Sequence, residues 1–474
     1  MEKVEDRAQP HKLSIFTLTM INVAAMISLS NITSVAKYGL SSVSFYLLAA
    51  LVFLIPVSFV AAELATGWPQ HGGVYIWVKE GLGGHWGFLA ISLQWIQIMF
   101  FYPTILSFAA AALSYSIDQN LSDNKIFIFL VIVVFFWLAT FLNFKGIKLS
   151  SYISTVGVIF GTLIPGLILI LLAGVFLIMG YDPQTSLAIG SIIPNLSKPD
   201  NVVFGIGILL MFAGLEMSAT HAEDVDNPQK SYPKAILLTT IIVITIMSIA
   251  TVSIAIVVPS ADIGLVSGLM QAVKIFLDTS HLSWFLPIFA FFLVLGVFGT
   301  VSTWITGPTK GLLTVARHGY LPPFLQKTND QGIPTTLLLI QASVVTLLAV
   351  LFLFIPSVNS SFWILTSMAI QFYLLMYILM FTSAIVLRYK QPDVHRDFRV
   401  PGGNRGMNII AGLGIIAAVT GFIVGFIPPS DLHISNRVGY VLFDLGMILL
   451  TCAIPFFIYY LRNPKWETDG EKFE

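Results

Sequence analysis

The recurrence of apolar runs of membrane length is what most narrows the folds open to this chain. A helix that crosses a bilayer needs roughly 20 consecutive, mostly apolar residues. Twelve such runs can be read, at about 13–34, 42–63, 86–116, 126–144, 152–179, 201–219, 235–258, 284–307, 335–356, 361–388, 408–427 and 437–461. The shorter runs carry scattered polar breaks rather than the two-residue alternation of a lipid-facing barrel strand, which favours helices. Charged residues make up only 10% of the chain, against about a quarter in soluble domains. The expected fold class is therefore an all-α polytopic membrane protein of 12 transmembrane helices, with residues 1–474 forming one membrane domain.

Basic residues orient the runs. Placing both termini in the cytoplasm leaves Lys37, Lys125, Lys198, Lys274 and Arg437 outside and the other 19 of the 24 Lys and Arg inside. Reversing the chain would invert that bias, so the positive-inside rule selects the first orientation. The first run, just after Lys12, lacks a small-residue cleavage site and is expected to remain as the first span.

Little sequence lies between the runs. GWPQHGGVYIWVKEGLGG (67–84) is too polar to span, although YIWVKE fits a short interfacial helix, and SGLMQAVKIF within 259–283 fits another. No soluble catalytic, nucleotide-binding or receptor domain has room, and no GxxxxGK[ST] phosphate loop is present. A formal net charge of zero gives no sign of a nucleic-acid partner. One cysteine excludes a disulfide framework and thiolate metal sites. Eight histidines fall in no ligand spacing, so neither an enzyme metal nor any other cofactor is expected. The lipid bilayer is the evident partner.

Function is carried by polar groups inside the runs. In LLMFAGLEMSAT (209–220), Gly214 and Glu216 sit within a membrane-length apolar segment. A charge at that depth is costly and marks a functional interior. A helix break over Phe212, Ala213, Gly214, Leu215 and Glu216 would expose backbone groups, which a bilayer tolerates only along a cavity. Broken half-helices in transporters aim their N-terminal ends at substrate carboxylates. The competing reading is that Gly214 is only a close-packing residue between helices. The first run has a similar polar centre, NVAAMISLSN (22–31), whose Ala24, Ala25, Met26, Ile27 and Ser28 are candidates for a second break or for ordinary helix–helix contact.

Glu216 is open to three states: ionised with a partner, protonated, or alternating during a cycle. Glu63, in AELATGWPQHGG at the end of the second run, reads as a structural or gating anchor for freed amides. Other interior polar groups are Gln94 and Gln97 in the third run, Trp304 and Lys310 in the eighth, and Gln371, Tyr373 and Tyr377 in the tenth. Trp304, beside Gly307-Pro308, and Tyr377 could close over a solute or could simply pack with a satisfied N–H or O–H.

AELATGWPQHGGVYIWVKEGLGGHWGFLAI (62–91) resembles the amino acid–polyamine–organocation transporters. Within them, GLEMSATHAEDVDNPQKSYPKA (214–235) and VSTWITGPTKGLLTVARHGYLPPFLQKTNDQGIP (301–334) are similar to the bacterial glutamate/γ-aminobutyrate antiporters, as is DFRVPGG (397–403). The resemblance implies a LeuT-like fold of two inverted five-helix repeats, about 13–179 and 201–388, with two further helices at about 408–461. It implies that spans one and six are unwound and that their backbone meets the substrate's α-carboxylate and α-amino groups. Spans three, eight and ten then supply side chains, so Gln97, Trp304 and Tyr377 join Ala24–Ser28 and Phe212–Leu215 as substrate-binding candidates. Glu63 and Glu216 are the gating or proton-sensing candidates.

Two departures from the family bear on this expectation. NVAAMISLSN lacks the usual glycine-rich break, and the sequence stops at Glu474 without the long tail that plugs acid-resistance antiporters. Exchange at neutral pH is expected accordingly. The expected activity is amino acid antiport in a cell inner membrane, by a monomer or weak homodimer. Glutamate, glutamine or a related amino acid would enter against an internal one such as γ-aminobutyrate. No arginine lies in the centre of a run to clamp a dicarboxylate, which favours neutral substrate forms. The alternative is proton- or sodium-coupled uptake, with sodium held by oxygens such as those of Ser302 and Thr303.

Overall fold

The computed structural model describes residues 14–70, 72–194, 203, 205–218, 227–429 and 437–467. The expected start of the sixth run at 201 and the acidic stretch 221–226 lie outside them. In chain order the helices are α1 (Ile15–Met26), α2 (Ile32–Ala36), α3 (Ser42–Ala49), α4 (Ile55–Gly67), α5 (Val74–Leu82), α6 (Gly84–Ile117), α7 (Lys125–Asn143), α8 (Ile147–Val158), α9 (Ile164–Ile178) and α10 (Ile206–Met211). They continue with α11 (Leu215–Ser218), α12 (Pro228–Val257), α13 (Gly268–Thr279), α14 (Leu286–Arg317), α15 (Thr335–Ala349), α16 (Leu351–Phe354), α17 (Val358–Lys390), α18 (Gly403–Val424) and α19 (Arg437–Leu461). A π turn at Ala50–Leu54 joins α3 to α4, and another at Ile159–Leu163 joins α8 to α9.

Ten helical stretches among the described residues are long and apolar enough to cross a bilayer. They fall on ten of the twelve expected runs, and the remaining two runs are helical in pieces. α1 stops at Met26, residues 27–31 are non-helical, and α2 resumes at Ile32. α10 stops at Met211 and α11 resumes at Leu215. The short helices foreseen between runs are also present, as α5 and α13. α13 buries Leu269, Met270, Val273, Phe276 and Leu277 on one face, while Lys274 and Asp278 pair on the other at 3.2 Å.

The connections gather into two groups at opposite ends of the helices. In one group, Thr33 Oγ1 donates to Leu265 O, the Val266 amide to Asn359 Oδ1, and the Gln184 amide to Ile256 O. In the other, Gln229 exchanges hydrogen bonds with the Arg399 backbone, and Asn329 Nδ2 donates to Phe144 O. Loops assigned to one side of the membrane by their basic residues thus meet one another.

One crossing is built on glycine alone. A side chain at Gly161 would collide with the backbone of Gly296, and one at Gly157 with that of Gly299. Here the α8–α9 strut and α14 touch backbone to backbone, as small residues permit in membrane helix pairs. The contact brings Ser154 beside Thr303, whose hydroxyls lie 2.7 Å apart.

Candidate functional site

Both helix interruptions border one cavity of about 530 Å³. Its wall takes Met26, Ile27, Ser28 and Asn31 from the first interruption, and Met211, Ala213, Gly214 and Met217 from the second. α6 adds Gln97 and Phe101, α8 Ser154, α14 Thr303 and Trp304, and α17 Tyr373. Among the described residues, no Asp, Glu, Lys, Arg or His lines it.

The first break sits later than expected. Ala24, Ala25 and Met26 are helical, and Ile27 caps α1 with an extended backbone while its amide still bonds Val23 O at 3.0 Å. The non-helical residues are Ile27 to Asn31, so Ala24 and Ala25 lie within α1. No glycine is needed there. Ser28 and Ser30 pair their hydroxyls at 3.0 Å, and Ser34 Oγ donates to Asn31 O at 2.9 Å. Small polar side chains therefore satisfy one another and a backbone carbonyl locally, as such residues do in turns.

The second break is shorter than expected, covering Phe212 to Gly214; Leu215 and Glu216 already belong to the first turn of α11. Gly214 adopts φ +99°, a region open to glycine and costly for other residues. Its amide does not face the cavity unpaired. It donates to Tyr377 Oη at 2.8 Å and to Glu216 Oε2 at 3.1 Å. A Cβ at this position would lie 2.9 Å from Trp304 Cη2, so the indole covers the bare backbone of the break.

Glu216 stands behind the wall and is buried. Its carboxylate accepts from Gln94 Nε2 at 3.0 Å, from the Gly214 amide, and from the hydroxyls of Tyr373 and Tyr377. The two tyrosines stack with centroids 4.9 Å apart. Their four-residue spacing puts both on one face of α17, so one helix grips one carboxylate twice. The family resemblance implies a solute contact for Tyr377. In the structure Tyr377 holds the break from behind, with Phe212 and Leu215 also off the wall, while Tyr373 reaches the cavity. The signal available for this was that same spacing read against a lone buried acid.

Gln97 lines the cavity, and its Oε1 has no hydrogen-bond partner among the described residues. Trp304 lines it too. Ser302 and Thr303, named together as possible sodium ligands, separate: Ser302 is buried against Asn143 and Ser150, each at 3.1 Å, and only Thr303 reaches the wall. Thr303 and Thr300 donate to carbonyls one turn earlier, Gly299 O and Gly296 O, both at 3.0 Å.

Glu63 is not part of the cavity wall. It is buried near the end of α4, held by both arms of the Arg388 guanidinium and by the Val400 amide at 2.7 Å. Arg396 Nε approaches to 3.4 Å, and its guanidinium lies 5.0 Å from the Trp68 ring centroid. Thr66 Oγ1 accepts from the Phe398 amide. The DFRVPGG segment is thereby clamped across the ends of α4 and α17.

A cavity walled by two interrupted helices, lined among the described residues by apolar and uncharged polar side chains, inside a bundle of apolar helices, is the architecture of a membrane carrier for small solutes. Comparison with known proteins agrees. The amino acid permease family model matches residues 13–452, and the chain belongs to that family. It is 43% identical over 448 residues to an uncharacterized transporter of Legionella pneumophila, covering 94% of this chain and 95% of the relative. It is 32% identical over 460 residues to a glutamate/gamma-aminobutyrate antiporter of Lactococcus lactis, covering 96% and 91%. A probable agmatine/putrescine antiporter of the same species is 22% identical, covering 88% of each chain. The protein is a multi-pass secondary transporter of the amino acid–polyamine–organocation superfamily, not an enzyme.

Proposed function

We propose that this transporter exchanges amino acids across a cell inner membrane, glutamate, glutamine or a related amino acid entering as one such as γ-aminobutyrate leaves. The observation that carries the reading is the pair of interruptions, 27–31 and 212–214, on one cavity that no ionised side chain among the described residues lines. A zwitterionic head can be met there by backbone dipoles at the helix ends. Gln97, Ser154 and Thr303 offer hydrogen bonds to a side chain without a fixed countercharge. A fully ionised dicarboxylate would enter with one charge unpaired, which is costly away from water. The substrates are therefore amino acids in forms with no net charge.

In this reading the two interrupted helices are spans one and six of twelve. Residues 13–179 and 201–388 form the inverted repeats, and both termini are cytoplasmic. Alternating access exposes the one cavity to each side in turn. The test is counterflow in proteoliposomes loaded with unlabelled amino acid, with no proton or sodium gradient. Labelled glutamine, γ-aminobutyrate and glutamate are offered outside over a range of pH. Uptake that requires internal substrate supports exchange; uptake that requires an imposed cation gradient instead establishes symport and overturns it.

A further inference from the structure

The polar side chains on the cavity wall are not equally free to meet a solute. Thr300 and Thr303 give their hydroxyl hydrogens to Gly296 O and Gly299 O, Ser154 gives its own to Ser150 O at 2.8 Å, and Tyr373 donates to Glu216. A hydroxyl committed in this way keeps lone pairs but has no hydrogen left to give. The carboxamides on the described wall are those of Asn31 and Gln97, and they stand apart from this pattern. Asn31 sits at the start of α2, where an asparagine side chain ordinarily accepts from an amide of the first turn. Here it makes no capping bond, its backbone lying at φ −98°, ψ −8° rather than extended. Among the described residues, Asn31 is engaged through its carbonyl, which accepts from Ser34 Oγ, and not through its side chain. Gln97, on α6, leaves Oε1 without a described partner. Both residues are more than nine-tenths buried. A buried polar group of this kind calls for a ligand or a water to satisfy it. The last side-chain torsion of Asn and Gln is soft, so a turn about it presents either edge of each amide to the cavity.

We propose that Asn31 and Gln97 read the substrate's side chain, and that they select one ending in an uncharged carboxamide or carboxylic acid. The inference rests on the amino acid exchange reading and names the substrate class within it. A carboxamide complements a carboxamide, N–H meeting C=O in both directions. A carboxylate offers acceptors only and an ammonium donors only. Either leaves an amide edge unmet and brings a charge that no side chain of the described wall neutralises. An aliphatic side chain suits Met26, Ile98 and Phe101 on the same wall but leaves both amides unpaired. A site built to hydrogen-bond its substrate rejects an analogue lacking the polar group far more strongly than an apolar site rejects a small change of size.

Titration of the purified protein in detergent at pH 7 with three amino acids tests this without any gradient or flux. Glutamine ends in a carboxamide, norleucine is of nearly the same length and wholly apolar, and ornithine ends in an ammonium. The wild type is expected to bind glutamine at least about tenfold more tightly than either of the others. In Q97L and in N31L the ratio of glutamine to norleucine affinity is expected to fall by about tenfold, the value of one good hydrogen bond. Because two ligands are compared in the same folded protein, a merely structural role for either amide would leave the ratio where it was. Where one variant does not yield folded protein the other decides, and the wild-type ratio needs neither. A wild-type ratio near one, or a ratio unchanged in Q97L or N31L, would overturn the inference alone. Binding of none of the three would overturn the exchange reading with it.

Discussion

Gly214 and Glu216 form one device, and each can be tested alone. The glycine amide is shared between the carboxylate and Tyr377, and the carboxylate closes the circle through Tyr373 and Gln94. Valine at 214 would face strain at positive φ and a contact with Trp304. Strain of that kind costs about 1–3 kcal/mol. G214V is expected to remain folded in detergent while counterflow falls by roughly tenfold or more, the equivalent of about 1.4 kcal/mol in the transport barrier. Parallel loss of monodisperse protein and of flux would remove Gly214 from the transport machinery. E216Q keeps the shape but gives up charge-assisted hydrogen bonds, each worth about 1.5–3 kcal/mol. Its exchange rate is expected to drop severely although Glu216 is not part of the cavity wall. Full activity in E216Q would show that the break holds without a carboxylate.

Among elements, two contacts carry different kinds of load. The Gly157–Gly299 and Gly161–Gly296 crossing has no room for a methyl group, whereas Gly174 on α9 has open space around its Cα. G161A is expected to lower the thermal midpoint in detergent through overpacking of about 1–3 kcal/mol. G174A should leave the midpoint unchanged or raise it, since alanine is the better helix former by about 1 kcal/mol. Equal midpoints for the two variants would show that the crossing yields. The clamp over DFRVPGG depends on charge. R388A would leave buried Glu63 with only the Val400 amide and Arg396 at 3.4 Å, and breaking a buried pair costs about 3–5 kcal/mol. A marked loss of thermal stability is the expected outcome, measured beside R388K, which keeps the charge but not the two-armed grip.

For the molecule as a whole, orientation is the accessible question. The two groups of connections seen in the structure agree with the distribution of basic residues, and site-specific labelling can assign each group to a side. In a C452S background, a cysteine at Asp182 is expected to react with an impermeant maleimide applied to intact cells. One at Lys327 should react only after the membrane is opened. Both positions are exposed, so silence reports the barrier rather than burial. The reverse pattern would invert the membrane orientation and the direction assigned to exchange.

The linear sequence determined a great deal of this protein because its strongest signals are local. Runs of apolar side chains must be buried in lipid wherever they fall, so ten membrane-length helices were legible with ends within about ten residues. α5 and α13 were legible for the same reason. Gly214 pointed to a break because only glycine enters positive φ freely. The exact break in the first run was not legible, since Ser28, Ser30 and Ser34 stabilise it through hydrogen bonds that form only once the chain has turned. What tertiary structure alone decided was which polar groups meet. Tyr377 and Trp304 are equally plausible solute contacts in sequence, yet one turns to Glu216 and the other to the cavity. Glu63 found Arg388, 325 residues away, and Glu216 found Gln94, 122 residues away. A buried polar group must find a partner, and across such distances the partner is chosen by how the helices pack, which no stretch of sequence contains.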